Sequence, residues 1–67
     1  LLELSADVLE DRGAAARILA NVEFVALRSR TARTTGDRVL PRFGFTREPA
    51  WRGEDYVLYA RRPRQTP

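Results

Sequence analysis

The 67-residue sequence contains no cysteine and no histidine. Their absence excludes disulfides, Cys/His zinc sites, cysteine nucleophiles and any histidine-based triad. Lysine and methionine are missing too, and all twelve basic residues are arginine. A GC-rich coding bias explains that most simply. Selection for bidentate phosphate or carboxylate binding, where the planar guanidinium exceeds the ammonium, is the sharper reading. No run approaches the ~20 apolar residues of a membrane span, and no signal-peptide pattern is present, so no membrane partner is expected. The missing cysteines fit a cytoplasmic setting. No Asp/Glu cluster has EF-hand spacing, so no metal is expected. The chain starts on Leu1 without any Met, which reads as a piece of a longer translation product.

Sixty-seven residues allow one domain at most, or a fragment of a larger one. Such a chain buries only about 60% of the surface its unfolded form exposes, so its core is marginal. Small domains often lean on a disulfide, a metal or a partner. With the first two excluded, another chain or a missing N-terminal half is the expected source of extra stability. Charge is unevenly placed. Residues 1–23 set five acids against Arg12 and Arg17, a net of −3. Residues 24–67 set ten arginines against Asp37, Glu48, Glu54 and Asp55, a net of +6. The second part therefore suits an anionic partner, or complements the first.

Leu1, Leu4, Val8 and Leu9 follow helical spacing and predict an opening helix. Ser5 is a candidate N-cap for a shorter version, with Asp7 in its first turn. Gly13 interrupts it. Residues 14–21 predict a second helix, with Ala15, Ile18, Leu19 and Val22 on one face and Asn21 as a left-handed cap. Phe24 to Leu27 is a continuous apolar run that predicts a buried strand. Ser29 to Gly36, polar and rich in Arg and Thr, reads as a loop. A short helix follows from about Gly36 to Arg42, irregular at Pro41, and Gly44 supplies a left-handed exit. A short edge strand is expected around Phe45 to Arg47. Tyr56 to Arg61 is the clearest strand, with Val57, Tyr59 and Arg61 on one side and Tyr56, Leu58 and Ala60 on the other. Residues 63–67 read as a disordered basic tail after a single unit over 1–62. The expected class is α/β (α+β), in the order α-α-β-α-β-β. It has two to three helices and a small, incomplete sheet of two to three strands.

The stretch Arg33 to Phe45, RTTGDRVLPRFGF, resembles the last motif of the GNAT superfamily of acyl-CoA N-acyltransferases, approximately N-x-x-A-x-x-L-Y-x-x-x-G-F. Val39 takes the Leu place, and Gly44-Phe45 take the Gly-Phe place. Thr46 to Trp51, TREPAW, is similar to the R-x-I-P-A-Y/F that follows. The resemblance covers residues 24–62, with residues 24–29 as the fifth strand and 56–61 as the last. Arg33 stands for the motif's Asn, Gly36 for its Ala and Leu40 for its Tyr. That Tyr donates a proton to the departing CoA thiolate in many members, a role Leu cannot fill. The family's pyrophosphate loop, R/Q-x-x-G-x-G/A, is matched at Gly13 and Ala15, with Glu10 in the Arg/Gln place.

The resemblance implies an acyl-CoA-binding C-terminal portion of an N-acetyltransferase, with acetyl-CoA as cofactor and no catalytic residue of its own. Gly13, Ala14, Ala15, Arg33, Arg38 and Arg42 would line the cofactor groove. Residues 24–62 also resemble one β-α-β-β unit of the vicinal-oxygen-chelate fold, whose metal ligands need the absent histidine. The segment from Gly44-Phe45 to the YVLYARRP strand resembles the terminal hairpin of class I methyltransferases as well. From the residues alone, an Arg-rich nucleic-acid or polyanion-binding module is the alternative, with Arg47, and with Trp51 and Arg52 in the turn that follows it, as its contact residues. A structural subunit that completes its core against another chain is the third reading.

Overall fold

The computed structural model describes residues 2–63. It is a small α+β fold, a four-stranded mixed sheet with helices packed on one face. The chain runs β1 (Leu2–Glu3), α1 (Ala6–Glu10), α2 (Arg12–Leu19) and β2 (Phe24–Arg28). A continuous helical run over 29–43 follows, here the long helix. It comprises α3 (Ser29–Thr31), a π-helical stretch Ala32–Gly36, α4 (Asp37–Val39) and a 3-10 turn Leu40–Phe43. β3 (Trp51–Arg52) and β4 (Tyr56–Ala60) complete it. The strand order is β1-β2-β4-β3. β1 runs parallel to β2, and β4 lies antiparallel between β2 and β3. The mixed α/β class is the expected one, with one more strand than the pattern indicated.

The extra strand is the beginning of the expected opening helix. Leu2 and Glu3 pair with Val25 and Ala26, and helix starts only after Ser5, whose side-chain oxygen accepts the Val8 N–H at 3.4 Å. Asp11 separates the two helices. Its N–H closes α1 on the Val8 carbonyl, and its carboxylate caps α2 by accepting from Ala14 N–H at 3.1 Å. Gly13 thus lies within the first turn of α2 and breaks nothing. Asn21 is no left-handed cap, since among the described residues no non-glycine residue has positive φ. The Arg61 guanidinium serves instead, donating to the Leu19 and Val22 carbonyls.

The larger correction is at 29–36, which is helix and not loop. Ala32, Thr35, Gly36, Val39 and Leu40 are all buried, and Phe43 is half-buried. That is one helical face at i, i+3, i+4, i+7, i+8 and i+11, with Thr and Gly at two places where apolar residues are usual. Gly36 is there because nothing larger fits. A Cβ on it would lie 2.4 Å from Leu27 Cδ1. As Pro41 requires, the helix tightens to 3-10 there, and Gly44 ends it at φ 92°.

The expected edge strand at 45–47 is not formed. Phe45 makes only an isolated bridge to Arg61, and the edge strand is Trp51–Arg52. β2 and β4 are in register over their full length, so Val25, Leu27, Val57 and Tyr59 turn inward onto Leu9, Ala15, Leu19, Leu40 and Phe45. The outward face carries Phe24, Ala26, Tyr56 and Leu58, with Trp51 opposite Leu58. Among the described residues no helix covers that face, and Phe24 and Trp51 are 46% and 58% exposed. The expected basic tail lies, from residue 64 onward, outside the described residues.

Candidate functional site

Two helices of different origin form the most enclosed basic groove. α2 contributes Arg12 and Ala16, one turn apart on the same side. The long helix contributes Arg38, Arg42 and Phe43. Leu9 and Val39 supply apolar floor, and Glu10 stands at the rim. The groove has a volume of about 620 Å³. One ion pair spans it. Arg38 donates through Nη2 to Glu10 Oε1 at 3.0 Å, and both side chains remain more than half exposed. Such an exposed pair is worth at most about 1 kcal/mol and exchanges readily for a stronger anion.

The structure sorts the expected cofactor residues. Arg38 and Arg42 line this groove together. Gly13 is exposed in the first turn of α2. The Ala14 N–H is already engaged by the Asp11 carboxylate, which sits where a phosphate would seek the helix N-terminus. Ala15 is wholly buried in the core. Arg33 is exposed on the long helix and is not part of the groove wall. Arg12 and Ala16, rather than Gly13 to Ala15, are what α2 offers the groove. Their i, i+4 spacing around a helix start was the signal available in the sequence.

Leu40, in the place of the resemblance's Tyr, is fully buried. Position 40 therefore faces the core, and a hydroxyl there could not reach the groove. The chain's buried phenol is Tyr59, which donates to Asp37 Oδ1 at 2.7 Å. Burial, and then that hydrogen bond, push its pKa well above the ordinary tyrosine value. Its hydroxyl hydrogen is directed to Asp37, and Tyr59 is not among the residues that line the groove.

The alternative anion residues are dispersed. Trp51 and Arg52 are consecutive on β3, and their side chains alternate across the sheet. Trp51 pairs with Leu58 on the bare face, whereas Arg52 pairs with Val57 on the helix side. Arg47 lies elsewhere, near the end of the long helix. No single surface therefore combines these three. Among the described residues no group of three or more Asp or Glu could hold a metal ion, and no helix is long and apolar enough to cross a membrane. No family model, curated protein or solved structure matches this chain.

Proposed function

We propose that this chain is the acyl-CoA-binding C-terminal portion of a GNAT-like N-acetyltransferase, with acetyl-CoA as its cofactor and without turnover of its own. The observation that carries the reading is the groove itself. It brings the α2 segment and the second half of the long helix together around Arg12, Arg38 and Arg42, the two segments to which the resemblance assigns the cofactor. The phosphates of CoA would lie across the three guanidinia, which form paired N–H···O bonds to phosphate oxygens. Phe43 and Val39 give apolar surface to the rest of the ligand. The strand–helix–Gly-Phe–strand order over 24–60 also supports the reading. The absence of a proton donor at Leu40, and of any free base in the groove, is why binding is proposed and catalysis is not. Isothermal titration with CoA tests it. Arg12→Gln and Arg42→Gln should each weaken binding about tenfold, the loss of one charge-assisted hydrogen-bonded pair. Absence of heat with the unaltered chain would end the reading.

A second reading, a subunit that completes its core against another chain, is favoured by the bare sheet face with Phe24 and Trp51 exposed. A blue-shifted Trp51 emission on raising protein concentration, together with a larger sedimentation coefficient, would support it. A constant spectrum and a monomer mass would count against self-association.

A further inference from the structure

Arg38 and Arg42 also reach a second groove on the other flank of the long helix. Arg47, from the loop after the helix, and Arg62, just past β4, complete its basic wall. Four arginines from three chain segments thus border one space, open to solvent, of about 1020 Å³, and of these only Arg38 has its guanidinium drawn away, to Glu10 at 3.0 Å. Two carboxylates share it, Asp37 and Glu48. Asp37 accepts the Tyr59 hydroxyl at 2.7 Å through one oxygen, Oδ1, and forms no ion pair with the four arginines. Glu48 pairs with none of the four. Among the described residues the only ion pair is Arg38 with Glu10. Arg42, Arg47 and Arg62 are therefore left without a carboxylate partner.

Arg62 is also aimed. Its Nη2 donates to the Pro41 carbonyl at 3.3 Å, leaving the other N–H groups of the fork to a ligand. The groove has no aromatic side chain in its wall, so it offers contacts to phosphate but no platform for stacking a base. Three neighbouring arginines without a carboxylate partner, from three chain segments, match a ligand whose charges are concentrated, not strung along a polymer.

We infer that this groove is a binding site for a compact oligophosphate group, either free or carried on a small molecule. The site is distinct from the acyl-CoA groove, because Arg47 and Arg62 belong to it alone.

The test follows the arginine Nε–Hε resonances while the whole chain is titrated with inorganic tripolyphosphate, with ATP and with a short duplex RNA. Saturable, one-to-one shifts of Arg42, Arg47 and Arg62, with Arg30 unmoved, are expected for tripolyphosphate. Equal affinity for ATP identifies the phosphate chain as the ligand, and tighter ATP binding at the same arginines identifies a nucleotide; both support the site. Arg47→Gln and Arg62→Gln should each weaken tripolyphosphate binding about tenfold, while Arg30→Gln changes nothing. Shifts spread evenly over all arginines would overturn the inference. So would tighter binding to RNA that grows with its length, or unchanged affinity in the Arg47/Arg62 double variant. A chain that binds tripolyphosphate at these arginines but shows no CoA shifts at Arg12 keeps this site and loses only the acyl-CoA reading.

Discussion

Arg61 and Arg62 are neighbours of the same type in opposite roles. The Arg61 side chain lies half-buried between three segments. It donates through Nε to the Val22 carbonyl at 3.0 Å, through Nη2 to Leu19 and through Nη1 to Phe43 at 3.5 Å. Its guanidinium also stacks on the Phe45 ring at 4.9 Å. Two of the carbonyls it serves, Leu19 and Phe43, belong to the last residues of helical segments, where intrahelical donors run out. Arg61→Ala should cost about 2–3 kcal/mol, since several bonds to a charged donor are lost together. Arg62→Ala should cost no more than about 0.5 kcal/mol, as expected of an exposed site. Urea unfolding of the two variants checks the contrast; equal losses would contradict it. Gly36 gives a second test. In an open helix, Gly→Ala gains about 1 kcal/mol. Here the added methyl meets Leu27 Cδ1, and overpacking costs about 1–3 kcal/mol. A melting temperature that falls in Gly36→Ala supports the close approach, and one that rises contradicts it.

At the scale of elements, the long helix packs on β2 and α1, and the Tyr59–Asp37 hydrogen bond ties it to β4 as well. The Tyr59 pKa is raised in the folded chain, so the fold binds that proton more tightly than the unfolded chain, whose tyrosine titrates near 10. Stability from this group is complete below about pH 10 and is lost as pH rises through the folded value. Tyr59→Phe should flatten the alkaline decline of the urea midpoint; an unchanged slope would assign the decline to other groups. Asp11 is the matching device at the start of α2. Asp11→Asn keeps an acceptor for Ala14 N–H and should leave stability within about 0.5 kcal/mol. By removing a negative charge from the helix N-terminus it should tighten CoA binding about two- to fivefold, read by titration against the unaltered chain.

The same elements show what the sequence made legible. Alternation over 56–61 and the apolar run at 24–27 were sufficient for both central strands. Ser5, Pro41 and Gly44 carried their caps and kinks in their own stereochemistry. The helix over 29–36 was hidden because its inward positions are filled by Ala32, Thr35 and Gly36. A hydrophobic pattern does not register these, and Gly36 is selected by the nearness of Leu27, which lies on a different element, β2, beyond the reach of any local signal. β1 was hidden for a related reason. Two residues cannot show alternation, and Leu2 and Glu3 are strand only because β2 lies beside them. At the candidate site, Arg38 and Arg42 were expected through the resemblance and on the short helix read from about Gly36 to Arg42. Arg12 and Ala16 face them only through tertiary packing.

On the scale of the whole molecule, one layer of helices covers one face of a four-stranded sheet. The acids of the first 23 residues and the arginines of the remainder meet mainly at Glu10 and Arg38. That leaves the positive side chains of the long helix and its exit largely uncompensated, on the side of the molecule away from the bare sheet face. Anion binding and any docking on the sheet would therefore use different surfaces. The central claim is that the groove between α2 and the long helix holds acyl-CoA. The most direct measurement is a chemical-shift titration of the chain with acetyl-CoA, using desulfo-CoA and a short RNA as comparisons. The account predicts saturable shifts at Arg12, Ala16, Arg42 and Phe43 for both CoA forms and none there for RNA. Equal, salt-sensitive shifts for all three ligands, or none at those residues, would contradict it.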